Sequence, residues 1–253
     1  MSASAQSLSI RSIRRTFGGV VALDQVSFDI EGPGIYGLIG PNGAGKTTLF
    51  DTVAGIVRPD AGQVLLGGQD VTGWPSHRIA SLGVARTFQE CRVLPEESCL
   101  DNILYAAQPK RLGSALAQVF TRSDQTRRQF NAEARRLLDL VRLSDYAQSP
   151  ASSLSFGQRR LLEIVCTFIK PCRLLLLDEP AAGVNPSLLQ VLGDFIKVMH
   201  RERPSVILLV EHNMEFIMSM ADEIIVMHQG RVLERGTPAA VQASAAVREA
   251  YLG

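Results

Sequence analysis

Near the N-terminus the chain alternates. Leu8, Ile10 and Ser12 fall on one face of an extended segment, and Val26, Phe28 and Ile30 on one face of another. That is the period of half-buried strands. Gly32-Pro33-Gly34 interrupts the pattern, and the apolar run Ile35–Ile39 predicts a strand covered on both faces, as in a parallel sheet. A glycine-rich loop follows, then a helix opening near Lys46, and Val64–Leu66 and Val84–Phe88 predict short strands. From about Asp101 to Leu143 strand signals vanish, and Phe130, Ala134, Leu137, Leu138 and Val141 share one helical face. Alternation resumes after Ser152. Leu161, Val165 and Ile169 mark a helix starting near Arg159, and Leu188–Met199 marks another. Leu174–Leu177 and Ser205–Val210 are buried strands, and Glu223–Met227 with Val232–Arg235 is a hairpin about Gln229-Gly230. A last helix ends at Tyr251-Leu252-Gly253. The order predicts an α/β fold with an N-terminal antiparallel β region and an inserted α-helical subdomain.

Composition narrows the function classes. With 253 residues the chain has room for a large buried core, and its 46% hydrophobic content excludes global disorder. Its apolar runs, such as Leu174–Leu177 and Val206–Val210, are far shorter than the roughly 20 residues a membrane helix needs. The polar stretch Met1–Leu8 lacks the apolar core of a signal peptide. Lysine plus arginine total 26 against 25 acids, a net charge of +1, which argues against a nucleic-acid partner. That balance hides a segment, 110–136, with seven basic and two acidic residues. It reads either as a solvated helix surface or as a face toward an acidic partner or the membrane surface. Four cysteines without CxxC pairing fit reduced thiols of a cytosolic protein.

Three elements carry chemistry. Gly40-Pro41-Asn42-Gly43-Ala44-Gly45-Lys46-Thr47 fits G-x-x-x-x-G-K-[ST] between a predicted strand and a predicted helix. Its glycines let backbone N–H groups face phosphate oxygens, and the helix adds its N-terminal dipole. Lys46 supplies a charge for the β and γ phosphates, Thr47 a hydroxyl for Mg²⁺, and Thr48 reaches the α phosphate region. The strand ending Leu177-Asp178-Glu179 places Asp178 at its C-terminal tip to hold Mg²⁺, with Glu179 as a general base toward water. Leu154-Ser155-Phe156-Gly157-Gln158, ahead of a helix, makes a second phosphate site that could serve a nucleotide on another chain.

With these motifs, in this order, the sequence resembles an ATP-binding cassette (ABC) ATPase subunit over nearly its whole length. Gly40–Thr48 is similar to the Walker A loop, Leu174–Glu179 to the Walker B strand and Leu154–Gln158 to the LSGGQ signature. Gln89 matches the Q-loop glutamine, His212 the switch histidine, and Phe17 the aromatic that stacks on adenine. The resemblance implies a P-loop NTPase fold in a single domain of 1–253. The core takes in about 1–90 and 159–236, the helical subdomain about 91–158 and a C-terminal helix 237–253. It implies ATP and Mg²⁺ as cofactors. Phe17, Gly40–Thr48, Ser155, Gly157 and Gln158 would bind nucleotide; Thr47, Gln89 and Asp178 would serve the metal; Glu179, His212, Gln89 and Lys46 would serve catalysis. Two subunits, identical or paralogous, would sandwich two ATP molecules.

Departures from the common pattern are Phe156 for glycine in the signature and Asn185 for aspartate after Glu179. Ser155 and Gly157 keep the phosphate contacts, and the uncharged Asn185 bears on coupling between sites. Ala85–Gln89, Glu179–Pro186, Glu211–Met214 and Ala250–Gly253 are similar to the larger, LivG-like ATPase subunit of branched-chain amino acid importers. That subgroup also serves urea, amides and aromatic acids. The resemblance implies transmembrane permease partners, indirectly a periplasmic or surface solute-binding protein, and a peripheral place on the cytoplasmic face of the cell membrane. A lipopolysaccharide-type exporter ATPase and a soluble non-transport ABC protein are the alternatives. Trp74 and His77 are expected as loop packing and surface, and Glu163 as a solvated position on the signature helix.

Overall fold

The structure, a computed structural model, describes residues 6–87, 93–108 and 124–252. The chain divides into two compact units, one of residues 1–87, 172–180 and 199–253, the other of 88–171 and 181–198.

The first unit holds two sheets. Strands β1 (Leu8–Phe17) and β2 (Val20–Ile30) form a hairpin, and β1 pairs on its other edge with β4 (Ala61–Leu66), followed by β5 (Gln69–Asp70). All neighbours in this four-stranded sheet are antiparallel. The expected face Leu8–Ile10–Ser12 breaks at a register shift after Ile10. Ser12 adopts φ 48°, turns to solvent and donates its N–H to Ser27 Oγ at 2.8 Å, so Ile13 takes the next core position.

The larger sheet comprises β3 (Gly34–Ile39), β6 (Val84–Arg86), β7 (Leu174–Asp178), β8 (Val206–Val210), β9 (Glu223–His228) and β10 (Arg231–Gly236), in the order β10-β9-β3-β8-β7-β6. Every pair is parallel except the β9–β10 hairpin. Every residue of β7 and β8 is buried, which is why their sequences are continuous apolar runs. Gln229 and Gly230, with φ of 48° and 75°, make the two-residue hairpin turn that suits right-handed strand twist. Helix α1 (Lys46–Val53) buries Leu49, Phe50 and Val53 in a core shared with Ile10, Ile13, Leu176 and Leu208. Each such side chain contributes about 1.5–3 kcal/mol.

The stretch around Trp74 is more ordered than a loop. Pro75 leads into α2 (Ser76–Ser81); Trp74 lies half-buried with the Arg78 guanidinium 3.9 Å from its ring centroid, and His77 is exposed. The expected last helix is two helices. Ser244, with extended φ, ψ of −66°, 128° and its hydroxyl bonded to the Glu234 carboxylate, separates α8 (Pro238–Ala243) from α9 (Ala245–Leu252).

The second unit is helical. It contains α3 (Cys99–Ala106), α4 (Asp124–Leu140), α5 (Phe156–Phe168) and the part of α6 (Pro186–Glu202) up to residue 198. Ala134, Leu137, Leu138 and Val141 are buried as their spacing predicts, while Phe130 is half-buried. Phe168 and Phe195 meet edge to face at 5.2 Å. This unit takes in residues beyond the expected 91–158, among them α5, which is buried over Arg160–Val165 and packs on α3 and α4. The same burial corrects Glu163. Its carboxylate is buried and accepts from Arg160 Nη1 at 2.6 Å one turn away, so it is not solvated.

Candidate nucleotide-binding site

The chain leaves β3 at Ile39, turns through Gly40–Gly45 and enters α1 at Lys46. Gly45 caps α1 with φ 100° and no side-chain bond, so the first-turn N–H groups have no capping side chain. A Cβ at Gly45 would lie 2.5 Å from the Ala22 carbonyl oxygen, a space only glycine leaves open. Asn42, Gly43 and Thr47 are exposed, Pro41 and Thr48 half-buried, and Ala44 buried. Lys46 folds back over the loop. Its Nζ donates to Gly40 O at 2.6 Å and Pro41 O at 3.0 Å, and only 6% of the residue is exposed. Burial lowers its pKa, and the nearby charges of Glu179 and Asp178 oppose that shift. Oriented amides, a helix N-terminus and a buried ammonium together form an anion cradle. Burial raises the pKa of the Tyr251 phenol on α9, and the nearby Gly40 backbone opposes the rise.

Asp178 arrives at the tip of β7 with no exposed side-chain surface. The next residue leaves the strand sharply. Glu179 has φ 47°, a left-handed conformation that costs a non-glycine residue about 1–2 kcal/mol, and its N–H donates to Val210 O at 2.9 Å. The turn swings Glu179 outward, with Oε1 2.9 Å from His212 Nε2. His212 follows β8 and is held in place by Asn213, which caps α7 (Met214–Met220) by accepting from Phe216 N–H at 3.0 Å. Burial raises the Asp178 pKa, and the hydrogen bond and charge of Arg86 restrain the rise. Arg86 donates to Asp178 Oδ2 at 3.1 Å and to Asp51 Oδ1 at 2.5 Å. The Asp178 N–H donates to Thr87 Oγ1 at 3.0 Å. Thr47 and Asp178 offer hard oxygen donors of the kind Mg²⁺ takes. Among the described residues no cluster of three or more His, Cys, Asp or Glu forms a metal cage.

The Ser155–Gln158 segment, expected as a second phosphate site, lies in the helical unit. Ser155 caps α5: its Oγ accepts from Gln158 N–H at 3.4 Å, and Gln158 Oε1 accepts from Ser155 N–H at 2.9 Å. This box starts the helix at Phe156, earlier than the expected Arg159, and puts Gly157 and Gln158 in its first turn. The Ser155 hydroxyl proton stays available to a ligand. Gly157 is buried, and a Cβ there would lie 3.1 Å from Leu188 Cδ1. Phe156 is 54% exposed, and its ring fills the space where a Cβ on Gly183 would stand. Asn185 Oδ1 accepts from Leu188 N–H at 3.0 Å, the cap that opens α6.

Phe17 ends β1 at the hairpin tip, 43% exposed, with the Arg15 guanidinium 4.5 Å from its ring centroid. It is therefore a surface aromatic with one face against a cation. Gln89 lies outside the described residues. Sequence reasoning missed Arg86, Thr87, Asp51 and Tyr251. The available signal was a cation closing a short strand just ahead of Gln89.

Residues 23–182 match the ABC transporter family, and residues 231–253 match the branched-chain amino acid ATP-binding cassette transporter family. The chain is 38% identical to the high-affinity branched-chain amino acid transport ATP-binding protein BraF of Pseudomonas aeruginosa, over 97% of each chain. It is 36% identical to the LivG protein of Escherichia coli strain K12, again over 97% of each. Among solved structures, a nucleotide-free ATP-binding cassette from an ABC transporter superposes with a TM-score of 0.80 at 28% identity, covering 97% of this chain and 98% of that one.

Proposed function

Since this chain belongs to the ABC transporter family of ATP-binding cassettes, we propose that it is the ATP-hydrolysing subunit of an importer for branched-chain amino acids or a related small solute. The observation that carries this reading is convergence. The Gly40–Thr48 loop, the Asp178–Glu179 pair and His212 follow the C-terminal ends of β3, β7 and β8, neighbours in one parallel sheet. That edge is where open α/β sheets bind ligands.

In this reading the Gly40–Thr48 amides and Lys46 cradle the β and γ phosphates, and Phe17 stacks on the adenine. Lys46 exchanges the carbonyls of Gly40 and Pro41 for phosphate oxygens, a more favourable partner for a buried ammonium. Thr47, Asp178 and Gln89 would hold Mg²⁺, which would neutralise phosphate charge when bound. Glu179 accepts a proton from the attacking water as its oxygen bonds to the γ phosphorus and the bond to the β-phosphate oxygen breaks. His212, already 2.9 Å from the Glu179 carboxylate, keeps that carboxylate aimed and reaches the γ phosphate. Catalysis is positioning plus charge stabilisation. Ser155, Gly157 and Gln158 of one subunit reach the nucleotide held by the other, so ATP closes a two-subunit sandwich and hydrolysis opens it. Among the described residues no helix is long and apolar enough to cross a membrane. In this reading the transport work passes to permease subunits at the membrane face.

Reconstitution tests the transport assignment. The chain assembled with its permeases in proteoliposomes should hydrolyse ATP faster when a leucine-loaded binding protein is added, and leucine should accumulate. ATP-driven release of a solute from the opposite side would overturn import.

A further inference from the structure

Arg86 is the last residue of β6 and stands three positions before Gln89. Its side chain is only 10% exposed, and it forks: Nη1 lies 2.5 Å from Asp51 Oδ1 and Nη2 lies 3.1 Å from Asp178 Oδ2. Asp51 sits on α1, the helix that begins with Lys46 and Thr47, and the Phe50 ring centroid is 5.9 Å from the guanidinium carbon. Asp178 is the tip of β7 and fully buried. The chain leaving β6 is also stitched to that tip: Asp178 N–H donates to Thr87 Oγ1, and Thr87 N–H donates to Leu176 O at 2.9 Å.

A planar guanidinium can hold two carboxylates at a fixed angle to each other, which a lysine ammonium cannot do. Arg86 stands between the Asp51 and Asp178 carboxylates, and the Lys46 ammonium lies within electrostatic reach of Asp178 as well. One Asp178 oxygen is fixed by Arg86, which sets the direction of the other.

We propose that Arg86 is a positioning residue for the metal of the ATP reaction, holding Asp178 in one orientation and locking it to the helix that presents Lys46 and Thr47. The proposal rests on the reading of Asp178 as a Mg²⁺-side acid. Residues that orient metal ligands are typically worth about 10–100-fold in metal affinity.

The test measures ATP binding to the purified full chain by calorimetry, first in EDTA and then across a Mg²⁺ titration. Arg86→Lys keeps the charge and loses the fork. It should bind ATP in EDTA within about twofold of wild type, while the Mg²⁺ concentration that half-restores tight binding rises about tenfold or more. Asp51→Asn loosens the anchor on α1 but leaves the Asp178 contact, so it should move the Mg²⁺ midpoint in the same direction by less. Wild-type Mg²⁺ midpoints in Arg86→Lys would overturn the proposal. An equal loss with and without Mg²⁺ would also overturn it, by showing that Arg86 only supports the fold. A wild-type midpoint in Asp51→Asn beside a shifted one in Arg86→Lys would refute the lock to α1. If wild-type protein binds ATP with no Mg²⁺ dependence, the reading of Asp178 falls and takes this one with it.

Discussion

Two glycines of the phosphate loop separate backbone strain from steric conflict. Gly43 and Gly45 have φ of 79° and 100°, both disfavoured for a residue with a side chain. A methyl group on Gly43 would meet nothing within 4 Å, whereas on Gly45 it would lie 2.5 Å from the Ala22 carbonyl oxygen and 3.0 Å from Leu23 Cδ2. Gly43→Ala therefore carries only the conformational cost, about 1–2 kcal/mol, less the roughly 0.4–1 kcal/mol regained because the unfolded chain is stiffer. Gly45→Ala carries the same and adds an overpacking cost of about 1–3 kcal/mol, because the obstructing atom is backbone of β2 and cannot rotate away. The middle of that difference, about 2 kcal/mol, corresponds to about 4–8 °C in melting temperature for a unit of this size. The loop must also move to make room, carrying the amides and Lys46 off the phosphates, so ATP affinity should fall much further in Gly45→Ala. Thermal melts with and without MgATP on both variants read each effect. Equal melting temperatures and equal ATP-induced stabilisation would refute the argument.

Other outcomes follow from the same geometry. Lys46→Ala removes the ammonium that now bridges Gly40 and Pro41, so calorimetry should show ATP affinity reduced about tenfold or more, in line with a lost charge-assisted contact of about 1.5–3 kcal/mol. Ser155→Ala removes the α5 cap, which should lower stability by about 0.5–2 kcal/mol in a denaturant melt. The same variant should bind ATP normally as a single subunit and fail to form the ATP-dependent pair in size-exclusion chromatography.

The sheet was legible because burial on both faces leaves continuous apolar runs. Leu174–Leu177 and Val206–Val210 are short enough to favour interior strands over helices, and both are fully buried. The phosphate loop was legible because its glycines answer a backbone requirement that few other residues meet. Elsewhere pattern alone misled. Ser12 seemed to continue a strand face, but a bulge, invisible to period-2 counting, handed that place to Ile13. Glu163 looked solvated because a charged residue ordinarily is. Its partner Arg160, one helical turn away, lets it be buried. Ser244 breaks the C-terminal helix through a bond to Glu234, a tertiary contact without a local signature. The Arg86 fork was hidden for a related reason: it joins Asp51 and Asp178, which lie far apart in the chain and meet only when β6 pairs with β7.

The central claim is that Glu179 activates water at an ATP site built by Lys46, Asp178 and His212. Its most direct test is phosphate release by the Glu179→Gln variant, measured beside its ATP affinity. Glutamine keeps the size of the side chain and cannot accept the proton, so turnover should fall by about 10²–10⁴-fold, the usual worth of a general base. ATP binding should persist and a closed two-subunit species should accumulate. Phosphate release near the wild-type rate, with ATP bound normally, would contradict the account.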